Sequence, residues 1–319
     1  MIKLIIQIPC YNEEKSLPET LKCLPKKIEG IDCVEWLIID DGSNDRTIEI
    51  AKLNGVDHII RFPQNQGLAK AFIAGIDASC ARGADIIVNT DADNQYCADD
   101  IPKLIRPILT READMVVGER PISEIKHFSP LKKALQRFGS FVVRQLSHTD
   151  IVDAPSGFRA FSKHAAMQLN VFNEYTYTLE TIIQAGHKGI AITSVPIRVN
   201  GETRPSRLVK SVFSYVKKSG LTMLRIFVTY RPLFFFVTLG GILSSFGFVL
   251  ALRFLYHYFM GDGDGMVQSL ILAALMMGSG FFLMVTALIA DLISVNRKLL
   301  ENLQVKISRI EDSLSSGHD

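Results

Sequence analysis

Two stretches near the C-terminus, residues 233–252 and 266–290, contain no charged side chain. A helix needs about 20 apolar residues to cross the hydrocarbon core of a bilayer, and in lipid every backbone polar group must be satisfied within the segment. Two charge-free runs of this length therefore constrain the chain more than any other feature. They predict a pair of transmembrane helices. The competing reading is a pair of buried core helices, but soluble cores rarely need two such runs of bilayer length. Basic residues lie outside both runs: Lys217, Lys218, Arg225 and Arg231 before the first, Arg297, Lys298, Lys306 and Arg309 after the second. The connection holds Arg253 and His257 but also Asp262 and Asp264. The positive-inside rule then places both flanks in the cytoplasm and the turn Gly261-Asp262-Gly263-Asp264-Gly265 outside. The inner membrane of a cell, or another membrane with a cytoplasmic face, is the expected location.

The chain has 319 residues, 48% of them apolar, and the apolar excess is concentrated in these two runs. That leaves room for one sizeable domain ahead of them. The net charge of +2 gives no reason to expect nucleic acid as a partner. The first residues, Met1-Ile2-Lys3-Leu4-Ile5-Ile6, read as a strand and lack the pattern of a signal peptide. Five cysteines (Cys10, Cys23, Cys33, Cys80 and Cys97) are scattered without Cys-x-x-Cys spacing, which fits free thiols in a reducing compartment.

From residue 1 to about 120 the pattern alternates. Strands are predicted at 4–8, 34–39, 58–61, 86–89 and 115–117, with helices at 16–26, 45–53, 68–81 and 101–109 between them. This alternation predicts an α/β domain with a mostly parallel sheet and helices on both faces. Ligands in such sheets bind at the carboxyl ends of the strands, and the polar clusters fall there. Pro9-Cys10-Tyr11-Asn12-Glu13 follows the first strand, Asp40-Asp41-Gly42-Ser43 the second, and Asp91-Ala92-Asp93 the fourth. Further on, helices are predicted at 129–146 and 177–187, a loop at 153–159 and a strand at 190–197.

The catalytic domain is expected to span 1–206. Residues 207–231 mix Val212, Phe213, Val216, Leu221, Leu224 and Phe227 with Lys210, Lys217, Lys218 and Arg225, and read as an interfacial helix lying on lipid headgroups. The two spans then cover 232–290. In the first of them Gly240 and Ser244, and Gly241 and Ser245, lie four apart, a spacing that permits close helix packing. Apolar residues at Leu292, Val295, Leu299, Leu303, Ile307, Ile310 and Leu314 predict a cytoplasmic amphipathic helix over 291–319, suited to a homo-oligomer.

The residues themselves suggest a chemistry. Two carboxylates one residue apart at a strand end, Asp91 and Asp93, can both reach one hard divalent cation, and Gln95 offers a further oxygen. Such a cation can bridge the phosphates of a bound nucleotide. The chain has no Gly-x-x-x-x-Gly-Lys-Ser/Thr loop and no Gly-x-Gly-x-x-Gly after the first strand, which argues against a P-loop ATPase and a dinucleotide enzyme.

Ile8-Pro9-Cys10-Tyr11-Asn12-Glu13, Ile39-Asp40-Asp41-Gly42-Ser43-Asn44-Asp45, Asn65-Gln66-Gly67 and Asp91-Ala92-Asp93 together resemble the signature of family 2 glycosyltransferases with the GT-A fold, a Rossmann-like, mostly parallel sheet. Asp93-Asn94-Gln95, Gly118-Glu119-Arg120 and the 153–159 loop narrow the resemblance to polyprenyl-phosphate glycosyltransferases, the group typified by dolichyl-phosphate mannose synthase. It covers roughly residues 2 to 210. It implies that Pro9, Tyr11, Asn12, Glu13, Gly67, Lys70 and Ala92 line the donor site and that Asp40 and Asp41 bind base or ribose. It implies that Asp91, Asp93 and Gln95 hold Mg2+ or Mn2+ against the donor diphosphate. Arg120 would meet phosphate, and Asp153 and Arg159 would stand near the acceptor. Ser206 and Arg207, with Arg204, would close the catalytic region on the acceptor phosphate. The family's usual arginine about five residues before that serine is replaced by Gly201, leaving Arg198 and Arg204 as the available substitutes.

The implied reaction moves a hexose from a GDP- or UDP-linked donor, with inversion at C1, to the phosphate of undecaprenyl or dolichyl phosphate. Two other readings stand beside it. One is transfer to another membrane lipid or glycan. Processive synthases of this fold carry Gln-x-x-Arg-Trp, whereas the only tryptophan here is Trp36. The other is a non-enzymatic module that binds nucleotide sugars, which predicts broken metal ligands; Asp91, Asp93 and Gln95 are all present.

Overall fold

The computed structural model describes residues 1–121, 130–169, 171, 177–200, 220–221, 224–225, 227–261 and 267–315. Arg204, Ser206, Arg207, most of the expected interfacial stretch and the core of the 261–265 turn lie outside these residues. The described residues belong to two compact units, one holding a sheet and one holding two long helices.

The first unit is built on seven strands: β1 (Lys3–Cys10), β2 (Cys33–Asp40), β3 (His58–Arg61), β4 (Ile86–Asn89), β5 (Met115–Glu119), β6 (Arg159–Ser162) and β7 (Ile192–Pro196). Their order across the sheet is β3-β2-β1-β4-β6-β5-β7. β6 runs antiparallel to both its neighbours, and the other pairs are parallel. The helices are α1 (Leu17–Cys23), α2 (Thr47–Leu53), α3 (Leu68–Ala81), α4 (Ile101–Leu109), α5 (Pro130–Ser147), α6 (Lys163–Ala166) and α7 (Thr178–Lys188). This is the mixed, mostly parallel sheet of the GT-A fold.

β1, β2 and β4 are apolar on both faces because helices cover both. Leu4, Ile6, Ile8, Ile38 and Val88 pack with Leu17 and Leu21 of α1 and Leu104 and Ile105 of α4. α3 lies on the opposite face. It comes so close at Gly75 that an added Cβ would meet Gln7 and sit 2.8 Å from Ile39 Cδ1. The antiparallel β6 departs from the sequence reading, which placed Arg159 at the end of a loop. A strand of four residues, followed at once by α6 with Ser162 as its cap (Ala165 N to Ser162 Oγ, 3.1 Å), is too short to show a period of two.

The second unit, Gly220–Ile307, contains α8 (Pro232–Phe259) and most of α9 (Val267–Ser315). Both are long and apolar enough to cross a membrane, each holding an 18-residue window of mean hydropathy 2.1, within Pro232–Phe259 and Val267–Arg297. Large apolar side chains face outward along both, as at Phe246 and Phe282, 61% and 72% exposed. A core helix of a soluble protein would bury them. The two helices pack through glycine: a Cβ on Gly240 would lie 2.7 Å from the Gly280 carbonyl oxygen, and one on Gly280 would overlap Ser244 Oγ. Of the two small-residue registers in the sequence, Gly240/Ser244 makes this contact, while Gly241 faces open space. The expected C-terminal helix continues the second span without a break, because no glycine or proline interrupts residues 281–315.

Candidate active site

The chain leaves β1 for β2 and β3 on one side and returns to β4 on the other, so the strand order reverses at β1. Crevices for ligands open at such points. The β1–β2 ladder continues to Cys10 and Asp40, while the β1–β4 ladder stops at Gln7 and Asn89. Pro9 helps to end it. Lys3 and Gln7 turn their carbonyls towards β4, accepting from Asp85 N at 2.9 Å and Thr90 N at 3.1 Å. Pro9, two residues on, turns its donorless nitrogen the same way.

Two loops beside this crevice are laced together. Asn12, in the left-handed region at φ 55°, donates its N–H to Ser43 Oγ (2.9 Å) and accepts from Asn44 N (2.9 Å). Glu13 donates its N–H to Thr47 Oγ1 (2.8 Å), and its carboxylate accepts from Ser16 Oγ (2.5 Å). Tyr11 is 40% exposed at this edge.

Asp40 and Asp41 are both engaged with the chain around them. Asp41 accepts from two backbone amides, Gln66 N at 2.6 Å and Gly67 N at 2.9 Å, and is almost wholly buried. Asp40 is fully buried; one oxygen accepts from Ser43 N (3.2 Å) and the other faces Arg61 Nε at 3.5 Å. These carboxylates brace the turns that follow the strand ends. Gly67, at φ 95°, begins α3, and Lys70 is exposed in its first turn. Gly42 combines φ 72° with a Cβ position 2.5 Å from the Gln64 carbonyl carbon, so only glycine fits.

Asp91 and Asp93 leave β4 with Ala92 buried between them. Asn94, at φ 55°, reverses the loop, and Gln95 donates its N–H to Asp93 Oδ1 (3.2 Å). Burial and the neighbouring Asp93 carboxylate push Asp91 up to about 7, with Arg120 pulling in the opposite sense. A cation would relieve that crowding of negative charge. Among the described residues no group of three or more His, Cys, Asp or Glu side chains could cage a metal. Asp91 and Asp93 offer oxygen donors of the kind that hard divalent cations such as Mg2+ or Mn2+ take.

Arg120 lies on this crevice side at the end of β5, where its guanidinium grips Asp153 at two points, Nε to Oδ2 at 2.6 Å and Nη2 to Oδ1 at 2.9 Å. Arg159 was expected near the acceptor, but it is completely buried. Its guanidinium donates to Ser156 O (2.7 Å), Ala154 O (2.7 Å) and Thr181 Oγ1 (2.6 Å). It ties the 153–159 loop to α7, since a buried guanidinium must satisfy its donors locally. Arg198 is likewise committed, to Asp100 at 2.9 Å.

Several residues that shape the site escaped the sequence reading. Gln7 donates to Asn89 Oδ1 (2.9 Å), and Asn89 donates to Gly157 O and Tyr177 Oη (2.8 Å each), all fully enclosed. The signal was a polar residue inside each of two apolar strands. Asn200 reaches the 91–95 loop with its N–H on Gln95 O (2.8 Å) and its amide on Asn94 O (2.9 Å).

Comparison with known proteins fits this geometry. The family model described as Glycosyl transferase family 2 matches residues 5–169. UDP-N-acetylglucosamine–dolichyl-phosphate N-acetylglucosaminyltransferase of Methanococcus voltae is 35% identical over 60% of this chain and 83% of its own length. Undecaprenyl-phosphate mannosyltransferase of Micrococcus luteus is 28% identical over 64% of this chain and 88% of its own. Among solved structures, glucosyl-3-phosphoglycerate synthase of Mycobacterium tuberculosis, in complex with Mn2+, UDP-glucose and phosphoglyceric acid, covers 70% of this chain and 79% of its own with TM-score 0.53 at 18% identity, a likeness of fold. With a family match over more than half of the sequence, and the matched motifs gathered along one edge of the sheet, the chain belongs to glycosyl transferase family 2.

Proposed function

We propose that this chain is a membrane-anchored inverting glycosyltransferase that moves a hexose from a GDP- or UDP-linked donor to the phosphate of a polyprenyl phosphate, undecaprenyl or dolichyl, at the cytoplasmic face of a membrane such as the inner membrane. The observation that carries this reading is the Asp91–Asp93 loop. Two crowded carboxylates stand at the open end of a sheet, in a chain that also carries two membrane-length helices. Relatives whose names specify polyprenyl-phosphate acceptors support the acceptor class.

Asp91 and Asp93, with Gln95, would hold Mg2+ or Mn2+, which supplies positive charge to the departing nucleoside diphosphate. Asn12, Glu13, Asp40 and Asp41 shape the donor pocket through the turns they brace, while Pro9, Tyr11, Gly67, Lys70 and Ala92 line it. The acceptor phosphate, with a second pKa of about 6, is largely ionised near neutral pH, so the site needs little from a general base. Asp153 fits this, because its carboxylate is spent on orienting Arg120. Arg120 would then face phosphate with a fixed guanidinium. Arg204, Ser206 and Arg207 would offset repulsion between the two phosphates, and the amphipathic end of α9 would serve a homo-oligomer.

The test is a donor panel. Purified full-length protein in detergent, with Mn2+ or Mg2+ and undecaprenyl phosphate, is given GDP-mannose, UDP-glucose and UDP-GlcNAc. One donor should yield a lipid-linked sugar. Transfer to diacylglycerol alone would move the assignment to another lipid acceptor, and nucleotide-sugar binding without turnover would leave a binding module.

A further inference from the structure

Tyr96 lies three residues beyond Asp93 and points back into the metal loop. It is 4% exposed and its ring stacks on Phe158, with centroids 5.1 Å apart and planes 10° from parallel. Its hydroxyl accepts the N–H of Gly157 at 3.0 Å. That leaves its proton to give, and the Asp91 carboxylate stands beside it. Gly157 packs against the same carboxylate: a Cβ there would sit 3.2 Å from both Asp91 oxygens. On the other side, Tyr96 bridges to Val199, and its carbonyl accepts from Asn200 Nδ2 at 3.3 Å. The phenol is thus fixed by ring, backbone and amide before it meets Asp91.

We infer that Tyr96 is a positioning residue, which sets the rotamer of Asp91 for the cation and couples the metal loop to the 153–159 loop through Gly157. The inference rests on Asp91 being a metal ligand. Outer partners of ligating carboxylates control metal affinity by orienting the ligand, typically by about ten- to a hundred-fold. A buried tyrosine that merely filled space would keep its role as phenylalanine.

Tyr96→Phe keeps the ring on Phe158 and removes only the oxygen. The full chain in detergent is titrated with Mn2+ in the presence of UDP and, in parallel, GDP, and Mn2+ binding is read by electron paramagnetic resonance. The expected result is Mn2+ affinity weakened about ten-fold, with the circular dichroism of the metal-free protein unchanged and the Mn2+ concentration for half-maximal activity raised more than kcat falls. Mn2+ affinity within about two-fold of the parent would overturn the role given to Tyr96. Asp91→Asn serves as the reference: if it binds Mn2+ as tightly as the parent, the metal assignment falls and the role of Tyr96 with it. If it abolishes binding while Tyr96→Phe is neutral, only the positioning role is lost.

Discussion

Arg120 and Asp153, 33 residues apart in sequence, meet as a two-point ion pair with both side chains almost wholly enclosed. Asp153 also accepts the Arg120 backbone N–H at 3.2 Å, so the end of β5 and the 153–159 loop close on one carboxylate. Removing one partner of such a pair leaves a buried charge without compensation. Asp153→Ala should therefore cost about 3–5 kcal/mol of stability, read as a lower unfolding midpoint. An Asp153→Ala protein as stable as its parent but inactive would instead mark Asp153 as a base.

The Asp41 contacts predict an effect on nucleotide affinity. Asp41→Asn replaces one acceptor oxygen with a donor that opposes Gln66 N or Gly67 N. The loop at 64–67 should loosen, and UDP or GDP should bind roughly ten-fold more weakly, the effect of about 1.4 kcal/mol. Isothermal titration with both nucleotides checks this, and unchanged affinity for both would contradict it.

Asp100 and Arg198 predict a pH dependence. Burial alone would raise the Asp100 carboxyl, but hydrogen bonds from Arg198 and Lys103 overcome this and take it down to about 2. Its unfolded value is about 3.9. The sign follows: the folded state binds fewer protons over this interval, so the stability from the pair is fully present above about pH 4 and is lost as pH falls through about 2. Arg198→Ala should lower the unfolding midpoint at pH 7, with the gap to the parent closing towards pH 2. A gap independent of pH would refute the electrostatic account.

Asp93→Asn should reduce transfer by about a hundred-fold or more, the scale of losing one stabiliser of developing charge. A chelator should abolish transfer in the parent, and added Mn2+ or Mg2+ should restore it. Full activity in either case would remove the metal from the reaction.

The elements most legible in the sequence were those with clear punctuation. α3 runs over Leu68–Ala81 as expected, since Gly67 opens it and Arg82-Gly83 closes it; β4 ends at Asn89, where the apolar run stops. The parallel sheet followed from the same alternation. Pairings across the sheet did not. Spacing along the chain cannot show that Asp153 faces Arg120, that Asp41 is taken by the amides of 66 and 67, or that Arg159 turns inward to Thr181. A motif names residue types at a strand end, but which of them face a ligand and which hold the loops depends on what the next loop brings against them. Gln7 and Asn89 could have been found, because a polar side chain inside an apolar strand needs a buried partner.

The central claim is that the nucleophile is a lipid phosphate, received at a site whose own carboxylates are committed to a metal and to Arg120. The most direct measurement supplies the active donor in radiolabelled form, with either undecaprenyl phosphate or undecaprenol, and counts label entering the organic phase. The account predicts label with the phosphate and none above background with the alcohol. Equal transfer to the free alcohol would contradict it, since that reaction needs a general base that the Asp153–Arg120 pair does not leave available.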